Sequence, residues 1–292
     1  MGAVSFSDSL VSDADEVFQG EFVHKRLVFK GTVEDRPARW VLDSGALNDI
    51  TIDLAYALRR GLTIERAYHR TPGFELQPAG IGGFTHVERL SAFGVDVQGR
   101  TVPVSDLFAG RPVPPDFAGL IGLGFFAKKV LALDPRRSVL GLFRPSSLPV
   151  RVREVKHQLH FLRVDDRYVP FTRDVKDALM PSPEPPVLVI DTGSYTSLLT
   201  RDYVLSRRGH LFMRLLLRAA HRFRKRIRYV FELPPDVQVG VRVQIAHSSG
   251  AYEQTVGVAR VDGILGMNFL GRWISVFDLH GGVLALIRPS GG

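Results

Sequence analysis

Two short segments of this 292-residue chain have the makings of acid–base chemistry. Trp40-Val41-Leu42-Asp43-Ser44-Gly45 and Leu188-Val189-Ile190-Asp191-Thr192-Gly193 each run from apolar residues into an aspartate, a hydroxyl residue and a glycine. A carboxylate at the end of an apolar strand loses hydration, which is costly unless something offsets it. One such segment alone is unremarkable, because Asp, Ser, Thr and Gly are ordinary turn residues. Two become informative if the fold brings the strand ends together. Carboxyl groups at close range cannot both ionise cheaply, so the pair holds one proton. The ionised member then takes a proton from a water held between them while the protonated member donates to a carbonyl oxygen. No metal, covalent intermediate or cofactor is needed. Which aspartate keeps the proton stays open, since such a pair titrates as a unit. Gly45 and Gly193 let backbone N–H groups approach the carboxylates. Ser44 and Thr192 either brace the two loops against each other or serve as simple turn hydroxyls.

The elements that position these groups repeat. Gly119-Leu120-Ile121-Gly122-Leu123-Gly124-Phe125-Phe126 in the first half is matched by Gly263-Ile264-Leu265-Gly266-Met267-Asn268-Phe269-Leu270 in the second. The register then holds at a constant offset of 144 through Asp134 and Asp278 to Leu142 and Leu286. Two motifs recurring in the same order at nearly the same separation point to duplicated lobes. A pseudo-twofold axis between such lobes would bring equivalent strand ends, and both aspartates, to the midline.

Short apolar or alternating runs between Gly and Pro predict a mainly β chain. They include Arg26–Val33, Arg39–Leu42, Leu90–Val97, Val139–Phe143, Val187–Ile190, Val237–Ile245, Thr255–Val261, Ile274–Phe277 and Val283–Ile287. Short helices are expected over Asp53–Arg60, stopped by Gly61, and over Thr200–Arg208, stopped by Gly209. The expected division is a tail over 1–19, a first lobe over 20–148 and a second over 149–292.

These motifs resemble those of the aspartic peptidases, in detail the bacterial retropepsin-like group. There, an apolar-apolar-Asp-Thr/Ser-Gly motif is followed by apolar-apolar-Gly in each lobe. Asp43-Ser44-Gly45-Ala46 is similar to the retropepsin form and Asp191-Thr192-Gly193-Ser194 to the pepsin form. The resemblance covers roughly residues 20–145 and 155–288. It implies two pseudo-twofold-related, retropepsin- or pepsin-like barrel lobes in one chain, with a cleft between them. It also implies endopeptidase activity on an extended polypeptide, with Asp43 and Asp191 as the catalytic pair. A glycine-rich hairpin, the flap, closes over substrate in that family, and Gly80, Ile81, Gly82, Gly83 and Phe84 are its expected residues here. A plain surface hairpin would have the same composition.

The second half departs from the pattern where its own flap would lie. Arg214, Arg218 and Arg222 recur at helical spacing there, as do Leu211, Leu215, Ala219 and Phe223, so an amphipathic basic helical insert over about 207–228 is expected. Residues 201–228 hold ten Arg or Lys and one Asp; against a net charge of +8 for the chain, everything else totals −1. Basicity confined to one segment argues against nucleic acid as partner and leaves three readings: arginines solvated over a packed apolar face, an anionic membrane surface, or an acidic partner. One chain carries both half-sites, so a monomer is expected.

Hydrophobic residues make up 45% and charged residues 23%, which is the balance of an ordinary globular protein with enough length for one large or two small cores. With no cysteine, disulfides and thiolate metal sites are excluded. No apolar run approaches the roughly 20 residues of a membrane-spanning helix. The opening residues have neither the basic stretch nor the apolar core of a leader, so the expected location is outside the cytoplasm after leader removal, with the cytoplasm as the other reading. The competing function is a catalytically silent module that binds peptides or partners on the same scaffold.

Overall fold

The computed structural model describes residues 9–70, 81–108, 114–164, 167–179, 184–206, 215, 219, 226–246 and 260–289. It is mainly β, built from three sheets. Two eight-stranded sheets each belong to one half. The first runs in the order Glu21–Val23, Arg26–Val33, Arg36–Leu42, Phe117–Ile121, Ile50–Asp53, Val95–Ser105, Ile81–Ala92, Ile64–Arg70. The second runs Leu162–Val164, Arg167–Thr172, Leu188–Ile190, Gly263–Leu265, Ser197–Thr200, Val237–Ala246, Ile227–Leu233, Lys176–Asp177. The first seven strands of the two orders correspond, including the parallel pairing of each Asp-bearing strand with its apolar-apolar-Gly strand. At the position of the last, Ile64–Arg70, the second sheet has Lys176–Asp177, from a different place in the chain.

The third sheet joins the halves. Its six antiparallel strands are Glu16–Gln19, Val139–Phe143, Val130–Asp134, Ile274–Asp278, Val283–Ile287 and Gln158–His160, three from each half. At its centre Ala132 pairs with Val276. Those two residues are equivalents at the offset of 144, so the pseudo-twofold axis passes through that pair.

Residues 9–19, expected as a tail, are part of the fold. Glu16–Gln19 pairs with Val139–Phe143, and Leu10 and Val11 are fully buried. The joining sheet is apolar on both faces, because Leu131, Leu133, Leu140 and Leu142 point into the main core while Val130, Ala132, Val276 and Ile287 point the other way. That second face needs a cover, which Leu10 and Val11 supply together with Leu148 and Val152.

Two further expectations are corrected. Leu90–Val97 is not one strand but the end of a hairpin, with Phe93 and Gly94 both at positive φ in its two-residue turn. Paired positive-φ residues match the twist of the flanking strands. The same turn form occurs at His24-Lys25 and Glu34-Asp35, without the Asn-Gly signature that betrays such turns in a sequence. The basic insert cannot run to 228, because a strand begins at Ile227. Within that insert, Leu215 and Ala219 are helical and exposed, and the rest of 207–225 lies outside the described residues, as does most of the expected strand Thr255–Val261.

The halves also differ in closure. In the first, Arg26–Val33 pairs with Ile81–Ala92 as well as with its sheet neighbour, which closes six strands into a barrel. In the second no equivalent pairing exists among the described residues, and the sheet remains a half-barrel.

Local capping follows the duplication too. Asp53 caps the helix Leu54–Arg60 by accepting from the Tyr56 N–H at 3.1 Å. Thr200 caps Arg201–Ser206 by accepting from the Tyr203 N–H at 3.2 Å. Both tyrosines are buried. Burial pushes the Asp53 carboxyl above the ordinary carboxylate value, an energetic cost that the threonine avoids. Asp53→Ala should therefore cost about 1 kcal/mol of unfolding free energy. Asp53→Thr, copying the other half, should cost nothing or stabilise at neutral pH. Urea unfolding of the two variants checks the contrast.

Candidate active site

Each aspartate emerges where its strand ends and the chain turns over the neighbouring apolar-apolar-Gly strand. The Asp43 N–H donates to Ile121 O at 2.9 Å and the Asp191 N–H to Leu265 O at 3.0 Å. Gly122 and Gly266 then let the chain pass close beneath the loops. A Cβ would sit 2.4 Å from Asn48 O at the first and 2.6 Å from Ser194 O at the second. The triplets Leu120-Ile121-Gly122 and Ile264-Leu265-Gly266 thus form the bed on which the Asp loops rest.

Four buried hydrogen bonds tie the loops across the midline. The Ser44 hydroxyl donates to Ile190 O at 2.7 Å and accepts from the Thr192 N–H at 2.9 Å. Reciprocally, the Thr192 hydroxyl donates to Leu42 O at 2.9 Å and accepts from the Ser44 N–H at 2.9 Å. Of the two roles open to these hydroxyls in the sequence, the cross-loop brace is the one observed. Each hydroxyl satisfies both a donor and an acceptor of the opposite strand, and each residue is at most 1% exposed.

The brace sets the carboxyl groups face to face. Asp43 and Asp191 hydrogen-bond each other. Each also accepts backbone donors from its own loop: Gly45 N–H to Asp43 Oδ1 at 2.9 Å, and Gly193 and Ser194 N–H to Asp191 Oδ1 at 2.8 and 3.0 Å. Only glycine fits at 45 and 193. A Cβ on Gly45 would lie 2.7 Å from Asp191 Cγ, and one on Gly193 2.2 Å from Asp43 Cγ. The glycine of each loop makes room for the carboxyl of the other.

Burial raises both carboxyls above the ordinary value of 3.8. The two then part. Asp191 is raised further by the negative charge of Asp43 and by the hydrogen bond between them, and is lowered by the backbone N–H groups of Ser194 and Gly193. Asp43 is pulled back by that same hydrogen bond, by the Arg26 guanidinium and by the backbone N–H groups of Gly45 and Ala46. Two carboxyls raised in contact hold one shared proton and titrate as a unit.

The segment expected as a flap is an antiparallel hairpin over the part that is described. Ile64–Arg70 and Ile81–Ala92 pair as an antiparallel hairpin, with Ile64 opposite Thr85 and Arg70 opposite Ile81. Ile81, Gly82, Gly83 and Phe84 lie along its returning strand and not at its tip, and Phe84 is 46% exposed. Gly80 and the rest of 71–80 lie outside the described residues. In the second half, the corresponding connection is the basic segment, and the sheet edge beside Ile227–Leu233 is taken by the two-residue strand Lys176–Asp177.

Residues that motif reading missed also reach the site. Arg26 donates from Nε to Gly193 O at 3.3 Å, with its guanidinium 4.8 Å from the centre of the Phe108 ring. Lys25 lies over the ring of Tyr195, which is 40% exposed. The available signal was register: continuing the pairing of Val28 with Val41 by two places sets Arg26 opposite Asp43.

No protein-family model matches the chain, and no curated protein sequence matches it. Among solved structures it is similar to the aspartic proteinase from Irpex lacteus, with a TM-score of 0.54 over 94% of this chain and 97% of that one. The fold is pepsin-like. At 10% identity the likeness carries the two-lobed scaffold and nothing finer. Among the described residues no helix is long and apolar enough to cross a membrane.

Two outcomes test this geometry. Thr192→Ala strips partners from Ser44 N and Leu42 O, both buried, and should cost about 1–3 kcal/mol in denaturant unfolding, with Thr192→Ser close to wild type. The carboxyl pair also sets a pH dependence of stability. A raised folded-state value means the folded chain holds more protons than the unfolded one above pH 3.8, so stability falls as pH rises through that window. Asp191→Asn removes this loss and should melt above wild type at pH 7, the gap closing below pH 3.8.

Proposed function

We propose that the chain is an aspartic endopeptidase in which Asp43 and Asp191 activate a water against a peptide bond. The observation that carries this reading is the hydrogen-bonded pair of carboxyl groups, Asp191 buried and Asp43 partly buried, held across the lobe junction by Ser44 and Thr192. A fold with no chemistry to perform gains nothing from burying two acids in contact, since the arrangement lowers its own stability.

In this reading Asp43 acts as the ionised member of the pair and Asp191 as the protonated one. Ionised Asp43 accepts a proton from the bridging water as its oxygen attacks the carbonyl carbon. Protonated Asp191 donates to the carbonyl oxygen, giving a tetrahedral diol. On breakdown Asp43 passes its proton to the leaving nitrogen as the C–N bond breaks. A diol hydroxyl gives its proton to Asp191, which restores the starting pair. The backbone N–H groups of Gly45, Gly193 and Ser194 hold the carboxyls in place throughout.

The substrate is an extended polypeptide in the cleft, covered from one side by the hairpin Ile64–Arg70/Ile81–Ala92, which we assign as the single flap. Ile81, Gly82, Gly83 and Phe84 on its returning strand are the expected substrate-binding residues in this reading. Because one chain carries both half-sites, a monomer suffices in this reading, with the basic segment around 207–226 offered to an acidic partner or anionic surface.

Cleavage of an unfolded protein substrate should follow a bell-shaped pH profile, falling at low pH as Asp43 protonates and at higher pH as Asp191 loses its proton. Asp43→Asn and Asp191→Asn should each lower the rate by about 10³-fold or more. A statine-type mimic of the diol should inhibit the wild type. Binding of peptides without cleavage at any pH between 3 and 8 would instead identify the silent binding module.

A further inference from the structure

The two halves place different side chains opposite their aspartates. In the first, the hairpin register continues to set Arg26 against Asp43. In the second, Phe171 pairs with Val189, and two further places set Val169 against Asp191. The cation of one half is thus an apolar residue in the other. Val169 is 3% exposed and packs in an apolar cluster against Leu47 of the first half's Asp loop. Arg26 makes the reciprocal contact with the second half's loop, but through a hydrogen bond to Gly193 O at 3.3 Å.

Arg26 is also held on its other side. Its guanidinium lies 4.8 Å from the Phe108 ring centre, and Phe108 is itself buried against Phe117 in an edge-to-face contact. A planar cation fixed between a ring and a carbonyl cannot swing away from the site as a surface lysine would. Among the main influences on Asp43 the charged groups are Asp191 across the midline and Arg26 in its own half. No cation is among the main influences on Asp191, which faces the charge of Asp43.

We propose that Arg26 is a positioning residue that makes the aspartate pair asymmetric, assigning the base to Asp43 and leaving the proton on Asp191. Duplication alone would make the two carboxyls near-equivalent, and a nearly symmetric pair has no preferred direction for proton transfer. One fixed cation on one side of the midline supplies the direction. It also lets the singly protonated pair persist to lower pH, because a nearby opposite charge favours the ionised form of a carboxyl. This inference rests on the peptidase reading for its catalytic meaning, but the asymmetry itself is a property of the folded chain.

The test follows the carboxyl carbons of Asp43 and Asp191 by NMR through a pH titration, in wild type and in Arg26→Gln, Arg26→Met and Arg26→Lys. Asp43→Asn and Asp191→Asn supply the assignments. Removing the charge should move the lower titration step up by about one pH unit and shift the acidic limb of kcat/KM with it. Arg26→Lys should retain most of the wild-type position. Gln and Met both keep a long stem, so that either variant, once its thermal midpoint shows it folded, reads the charge and not the packing. A lower step that stays in place without the guanidinium would overturn the inference, whether or not the protein cleaves peptides. A wild type that cleaves nothing while its titration still moves on loss of Arg26 would instead remove the peptidase reading and leave the charge asymmetry standing.

Discussion

Two carboxyl groups buried against each other repel unless one of them keeps its proton. In this chain the surrounding structure is arranged so that the pair survives. The Ser44–Thr192 brace uses four hydrogen bonds to hold the loops at one separation. Each loop then turns its own N–H donors onto its own carboxyl, while its glycine clears space for the other's. Were the brace looser, the carboxyls would drift apart and hydrate, and each would titrate like any surface aspartate.

Duplication makes this arrangement economical, since one sequence motif folded twice delivers both halves of a site. The joining sheet carries the symmetry, with Ala132 and Val276 paired on the axis. One continuous apolar core runs from Leu27 of the first half to Leu286 of the second, so the halves are not independent bodies. A rigid floor of this kind is what keeps two opposed groups in register over the thermal motions of a whole lobe.

The departures from symmetry fall around the site. The first sheet closes into a barrel through Gly31, Thr32 and Val33, and the hairpin that projects from it is the assigned flap. The second stays a half-barrel, with a basic segment in the equivalent connection. Directly at the pair, Arg26 stands where the other half has Val169. A peptide has direction and a bond being cut has two unlike ends, so unlike halves suit such a substrate better than identical ones.

What the sequence determined by itself was the repeat, and with it the identity of the pair. Asp43 and Asp191, their glycines and the apolar-apolar-Gly triplets were legible because motif and order recur within the chain, and the mainly β character followed from short alternating runs. The tertiary structure alone decided which hydroxyl contacts cross the midline, because donors and acceptors 148 residues apart in Ser44 and Thr192 carry no local trace of each other. It decided that Leu10 and Val11 belong to the core, since only an assembled sheet has a second apolar face to cover. It also decided that the hairpin turns at Phe93-Gly94, where a buried phenylalanine at positive φ looks in the sequence like one more strand residue. Above all it decided which charge stands beside the pair. That depends on a guanidinium brought opposite Asp43 by strand register, and local sequence patterns report composition and periodicity but not which side chains meet across a sheet.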